Sequence, residues 1–272
     1  MSTYFEDLSC SVLVPSCDNY SDMWAPFFYL FFKFWPDCPF PVFLGSGTFD
    51  FPNKRVKVLY SNQEKNWTNC VRQYLSTINT DYVLLCLEDF FMRKPISTKD
   101  IVTAFNTLKN LNGTMLRLVP YPAPDKNLSE YPNIGSIAIG APFRVSTQTA
   151  IWKRQALLDL MREVESIWEF EVNGSRRSDA LGNSFYGVWN PLMTYKHHVV
   201  ERGKWFPQEA RRFGRMNIGC DFTKREIMKW HEMLKWRFGK IIWYPFHKLP
   251  WKMQYFIEDG ARFILGRKKR IK

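Results

Sequence analysis

The sequence predicts an α/β fold, a mixed and mainly parallel sheet flanked by helices. In the first half, short apolar runs alternate with helix-length amphipathic segments, the pattern of strands and crossover helices. One run, Tyr82–Leu87, is apolar throughout, as in strands covered on both faces. The chain has 272 residues, 46% of them hydrophobic, enough for the core of one large domain.

Each element can be justified in order. Ser11–Pro15 reads as a short buried strand running into a polar turn, Ser16–Tyr20. Trp24–Trp35 is densely aromatic and predicts a buried helix after Pro26; with Pro26 and Lys33 inside it, the run is too short to span a bilayer. Pro41–Leu44 and Arg55–Tyr60 are further strands. Trp67, Cys70, Val71, Tyr74, Leu75 and Ile78 recur at helical spacing. The Tyr82–Leu87 strand ends abruptly in Glu88 and Asp89. Ser97 and Thr98 can cap a helix running to about Asn112, with Gly113 as its stop. Met115–Val119 is another strand, followed by a loop holding Pro120, Pro122, Pro124 and Pro132. A helix is expected over Ala150–Val164, and after Trp168 the pattern turns polar and irregular to about Phe222.

Charge is unevenly distributed. The formal net charge is +12, and aromatics make up 17% of the residues. Residues 221–272 hold fourteen Lys/Arg against five Asp/Glu, and four of the eleven tryptophans, leaving residues 1–220 at only +3. The division expected is therefore a domain over 1–220 and a basic, aromatic, helical extension over 221–272. Interleaved aromatics and cations fit an anionic membrane surface; a solvated basic end packing its aromatics on the main domain fits as well.

Several chemistries are excluded. Met1–Asp7 has neither a basic region nor an apolar run, so no secretory signal is expected. Cysteines 10, 17, 38, 70, 86 and 220 form no C-x-x-C pair and the histidines no H-E-x-x-H, which argues for free thiols and against zinc. There is no P-loop, no G-x-S-x-G, no third glycine after Gly45 and Gly47, and no RNP or zinc-finger pattern. Two features remain. Glu88 and Asp89, at the end of a buried strand, could hold a divalent cation through oxygen ligands, or could be a solvated acidic turn. Glu169 and Glu171, set among Trp168 and Phe170, could include a general base, or could be one helical turn with its acids in water.

Taken in order, Ser16–Asp18, the helix from Trp67, Tyr82–Phe91, Val145–Trp152 and Trp168–Glu171 followed by Gly174–Arg176 resemble a family. Over about residues 10–190 the chain is similar to GT-A-type glycosyltransferases of the kind found in bacterial surface-polysaccharide (lipopolysaccharide or capsule) loci and some large viruses. The resemblance implies a Rossmann-like GT-A domain that moves a sugar, with inversion, from a nucleotide-sugar (a UDP-sugar by preference) to a hydroxyl of a saccharide or lipid-linked glycan. It implies that Ser16, Asp18, Trp67 and Glu88 lie on the nucleotide, and that Asp89 holds Mn²⁺ or Mg²⁺ against the diphosphate. Arg144 and Gln148 would face donor or acceptor. Glu171 would be the base, with Glu169 as second choice. The family's Asp-x-Asp is Leu87-Glu88-Asp89 here, so a single carboxylate stands where the last Asp would. The implied location is the cytoplasmic face of the membrane, held by 221–272, with no nucleic acid partner. The competing expectation is a non-catalytic protein binding membrane or nucleic acid through that basic tail. A nucleotidyltransferase would need a basic phosphate loop near the N-terminus, which is missing.

Overall fold

The computed structural model describes residues 8–61, 66–197, 199–201 and 203–247, the last nine as backbone path only. The stretch Ala261–Lys272, with its basic cluster, lies outside the described residues. The chain runs through β1 (Cys10–Val14), α1 (Ser21–Phe34), β2 (Val42–Ser46), β3 (Val56–Tyr60), α2 (Trp67–Thr77), β4 (Tyr82–Leu85) and β5 (Phe91–Met92). Next come α3 (Thr98–Asn110), β6 (Met115–Arg117), β7 (Lys126–Leu128), β8 (Tyr131–Ser136), β9 (Ala150–Lys153), α4 (Arg154–Leu160) and α5 (Ile167–Arg177). The last elements are β10 (Phe185–Val188), β11 (Tyr195–Lys196), β12 (Val200–Glu201), β13 (Lys204–Trp205), α6 (Pro207–Met216) and α7 (Trp230–His247).

Nine strands form one sheet in the order β3-β2-β1-β4-β9-β6-β10-β8-β7. All run in one direction except β9 and β8, which pair antiparallel to their neighbours. This is the mixed, mainly parallel α/β sheet that the sequence predicts. Along β1 the two-residue period sends Cys10, Val12 and Val14 to one face and Leu13 to the other. The first face is covered by the aromatic side of α1, with Phe27, Phe28, Phe31 and Trp35 fully buried, together with Phe105 of α3. The second is covered by Val71, Tyr74 and Leu75 of α2, Leu157 of α4 and Phe170 of α5. Covering both faces is why β4 reads as a continuous apolar run.

The predicted helix over Ala150–Val164 is corrected. Ala150–Lys153 is a strand that fills the slot between β4 and β6, and only Arg154–Leu160 is helical. Ala150, Ile151 and Trp152 are buried on both faces, and such a short apolar run has no period that tells strand from helix. The polar region after Trp168 is also more regular than expected. It contains α5 and then β10, which pairs with both β6 and β8. Helix α1 begins at Ser21 and carries Pro26 inside it, rather than starting after that proline as predicted. The cap of α3 is as expected, with the Ser97 hydroxyl accepting from the Asp100 N–H at 3.3 Å.

Candidate active site

Strands β1 and β4 are parallel neighbours, yet β1 continues to β2 on its other side. The chain therefore reverses its direction of travel across the sheet between β1 and β4. Ligands of open α/β sheets bind outside the carboxyl ends of strands at such a switch point. A cleft of about 590 Å³ opens there, within the usual size range of small-molecule sites. Its walls come from Pro15–Cys17 after β1, Leu87–Phe90 after β4, Trp67 and Tyr74 of α2, Ile167, Trp168 and Glu171 of α5, and His197, Val200 and Glu201. Because β9 runs antiparallel with Ala150 opposite Leu85, the residues just before it, Thr147 and Gln148, reach the same edge.

Six of the expected residues meet in this cleft. Glu88 and Asp89 sit side by side at the end of β4. Burial, and then the neighbouring charge of Asp89, push the Glu88 carboxyl above its ordinary value. A hydrogen bond from Ser16 and the charge of Arg225 work in the opposite direction. Ser16 Oγ also accepts from Trp24 Nε1 at 2.8 Å, so a buried indole of α1 fixes the hydroxyl beside Glu88. Trp67 lines the cleft with its ring against Phe170, centroids 5.6 Å apart. Gln148 Oε1 accepts from the Tyr195 hydroxyl at 2.9 Å.

Glu171 faces the cleft from the second turn of α5. Its Oε1 accepts from the Thr147 backbone N–H at 2.7 Å and from the Thr147 hydroxyl at 2.8 Å. Burial raises its pKa; the two Thr147 bonds and the charge of buried Arg117 offset part of that rise. Ser175, one turn on, accepts from the Val145 N–H at 3.0 Å and so fixes α5 to the segment that carries Thr147.

Three expected site residues are not among those lining the cleft. The Asp18 carboxylate is held by the loop after β2, accepting from the N–H groups of Gly47, Thr48 and Phe49 and the hydroxyls of Ser46 and Thr48. Burial would raise its pKa, but those donors win and bring it down to about 2. Any side chain at Gly47 would collide with that carboxylate, since a Cβ there would lie 2.8 Å from Asp18 Oδ2. Arg144 is fully buried, bonded to the Ser178 and Gly182 carbonyls and paired with Asp179 at 3.3 Å, its guanidinium over the Phe185 ring. It braces the end of α5 from outside the cleft lining. Glu169 closes a capping box with Ser166 at the start of α5, and the bonds from Ser166 lower its pKa.

Sequence reasoning missed Thr147, Tyr20, Trp168, His197 and Glu201 as cleft residues. Thr147 and Trp168 stand inside the segments Val145–Trp152 and Trp168–Glu171. His197, just after β11, and Glu201, on the short strand β12, carry no local signal. A second cleft of about 430 Å³ adjoins the first and shares Gln148 and His197 with it. Its walls are more apolar, with Val119, Tyr121, Met193 and Tyr195, the Tyr195 ring stacked on Phe90 at 4.4 Å.

The donor set at the end of β4 fits a hard divalent cation. Two adjacent carboxylates, one of them pushed toward protonation by burial and its neighbour, are relieved by a positive charge, and their oxygens suit Mn²⁺ or Mg²⁺. Among the described residues no third His, Cys, Asp or Glu joins them in a metal-holding cluster.

Sheet and cleft together define an α/β protein with an open cleft at the β1/β4 switch point. No known family model matches the chain, and no curated relative matches its sequence. Solved structures similar to it include the bifunctional IspDF of Campylobacter jejuni, at 11% identity and TM-score 0.39, over 66% of this chain and 49% of that one. A mannosyltransferase of Pyrobaculum calidifontis, solved with GDP-Man and Mn²⁺, matches at 11% identity and TM-score 0.48, over 78% and 62% of the two chains. Glucosyl-3-phosphoglycerate synthase of Mycobacterium tuberculosis, solved with Mn²⁺ and UDP-Glc, matches at 11% identity and TM-score 0.45, over 81% and 80%. The chain thus spans about half the length of the first of these and under two thirds of the second.

Proposed function

We propose that the protein is a nucleotide-sugar glycosyltransferase that moves a hexosyl group, with inversion, from a UDP-sugar to a hydroxyl of a saccharide or lipid-linked glycan. The observation that carries this reading is the meeting of two acidic groups in one cleft. Glu88 and Asp89 after β4 and the half-buried Glu171, oriented by Thr147, all line it. In this assignment Asp89, with Glu88 beside it, would hold the cation against the diphosphate. When bound, that cation supplies Lewis-acid stabilisation of the departing nucleoside diphosphate. Trp67 flanks the nucleoside, and Ser16 keeps Glu88 in place. Gln148, at the junction of the two clefts, contacts both donor and acceptor. The second, aromatic cleft takes the acceptor. Glu171 accepts the proton of the acceptor hydroxyl as that oxygen attacks the anomeric carbon; its raised pKa makes it a stronger base than an exposed glutamate. A lipid-linked acceptor places the reaction at the cytoplasmic face of a membrane, with the basic region 221–272 as the attachment.

Thermal denaturation tests the reading. UDP is expected to raise Tm, and to raise it further with Mn²⁺. Asp89→Ala should abolish the Mn²⁺ increment, and Glu171→Gln should leave it intact while removing transfer by about a hundredfold or more. Full transfer by Glu171→Gln would end the base assignment; no stabilisation by any nucleoside diphosphate would end the enzyme reading.

A further inference from the structure

We propose that the first half of α7 is a docking face for an anionic lipid bilayer, seated by Trp230, Leu234 and Phe238. This deepens the membrane attachment suggested above by naming the surface that makes it. The three side chains are 71%, 38% and 61% exposed, large apolar groups left in water on one helix. At ~100° per residue, positions four apart drift by ~40°, so all three fall within an arc of ~80°.

The other side of the helix is pinned to the domain. Glu232 accepts from Lys204 Nζ at 2.9 Å and from the Lys229 N–H at 2.8 Å. The Trp236 ring meets Phe206 edge-on at 4.9 Å. Glu232 and Trp236 point ~160–200° away from the centre of the apolar arc. The helix is thus held by one face and presents the other, an apolar stripe already exposed.

The chemistry around the stripe selects the occupant. Lys235 and Arg237 are exposed on either side of it, and residues 221–272 together carry a net charge of +9. A Trp/Leu/Phe stripe bordered by cations suits the boundary between acyl chains and anionic headgroups, where the rings enter the lipid and the cations stay at the phosphates. Two copies of this face would bring like charges together, which opposes self-association. Single-stranded nucleic acid would stack on Trp230 and Phe238 but offers nothing to Leu234. Among the described residues no helix is long and apolar enough to cross a membrane, so the contact lies along the surface.

Vesicle co-sedimentation of the full chain tests this, using phosphatidylcholine vesicles with and without phosphatidylglycerol. The wild-type chain should partition onto the phosphatidylglycerol vesicles and bind the neutral ones weakly. Trp230→Ser with Phe238→Ser should lower that partitioning by about tenfold or more with Tm unchanged, since exposed side chains contribute little to folding. Leu234→Trp should strengthen it. Unchanged binding by the double variant would overturn the proposal, because charge elsewhere in the chain would then suffice. So would a double variant that loses self-association or single-stranded RNA binding while keeping its hold on vesicles. Stabilisation by UDP and Mn²⁺, measured on the same samples, separates the two readings: losing it with vesicle binding intact rejects the enzyme and leaves the docking face standing.

Discussion

Thr147 fixes the position of Glu171 and opposes the burial that raises its pKa. The Thr147 N–H and hydroxyl both donate to Oε1, and each bond favours the ionised carboxylate against the burial that disfavours it. Thr147→Val keeps the shape and the N–H but removes the hydroxyl, so the Glu171 pKa should rise further. A general base works only when deprotonated, so activity falls as pH drops through that pKa. The acid limb of the kcat/KM profile should therefore move to higher pH in the variant, with the plateau above it retained. A limb that stays in place would show that Glu171 is not the group being titrated. The aromatic setting marks the pair Glu169 and Glu171 and the family resemblance chooses Glu171, but Thr147 becomes visible only when the antiparallel insertion of β9 brings residues 147–148 to the edge where β4 ends. Asp18 shows the converse. The family resemblance puts Asp18 on the nucleotide, yet five donors of Ser46–Phe49, some thirty residues away, hold its carboxylate. Donors arriving from another loop leave no trace in local sequence.

At the level of elements, strands buried on both faces and helices with one apolar side were legible, because burial writes a continuous run or a 3.6-residue period directly into the chain. The start of α5 was not. Trp168-Glu169-Phe170-Glu171 places two acids two apart, which reads equally as a carboxylate pair or as a helical turn. The capping box decides it: Ser166 Oγ accepts from the Glu169 N–H at 3.3 Å, and Glu169 Oε2 accepts from the Ser166 N–H at 2.8 Å. One acid therefore closes the helix end while the other, half a turn on, faces the cleft. Ser166→Ala and Glu169→Gln should each cost about 1 kcal/mol of unfolding free energy in urea, with Ser166→Ala the larger. Both should retain transfer activity, unlike Glu171→Gln. An inactive but stable Glu169→Gln variant would return that residue to the catalytic roll. Gly174 belongs to the same helix and lets it approach the cleft segment: a Cβ there would press on Val145 and Phe170 at 3.2 Å.

Across the whole molecule, the chain returns at its far end to close the site it began. Arg225 forms a two-pronged ion pair with Asp22 of α1, Nη2 to Oδ1 at 2.9 Å and Nε to Oδ2 at 3.0 Å, linking residues 203 apart in sequence. The same guanidinium donates to the Asn19 carbonyl at 2.9 Å and covers the Tyr20 ring at 4.5 Å. Tyr20 lines the cleft, so the segment before α7 is strapped onto the loop that follows β1. Both side chains are largely withdrawn from water, 9% and 1% exposed. Removing one partner from such a pair leaves the other charge buried and alone, whereas removing both charges together costs far less. Arg225→Met should lose about 3 kcal/mol of unfolding free energy in urea. Asp22→Asn with Arg225→Met should recover most of that loss, since a neutral amide replaces the stranded carboxylate. Affinity for UDP with Mn²⁺ is expected to stay reduced in both, because neither restores the guanidinium that holds Asn19 and Tyr20. If the double variant regained full nucleotide affinity along with its stability, the pair would be a clasp for folding alone. A persistent deficit in a stable protein would tie the C-terminal segment to the geometry of the cleft.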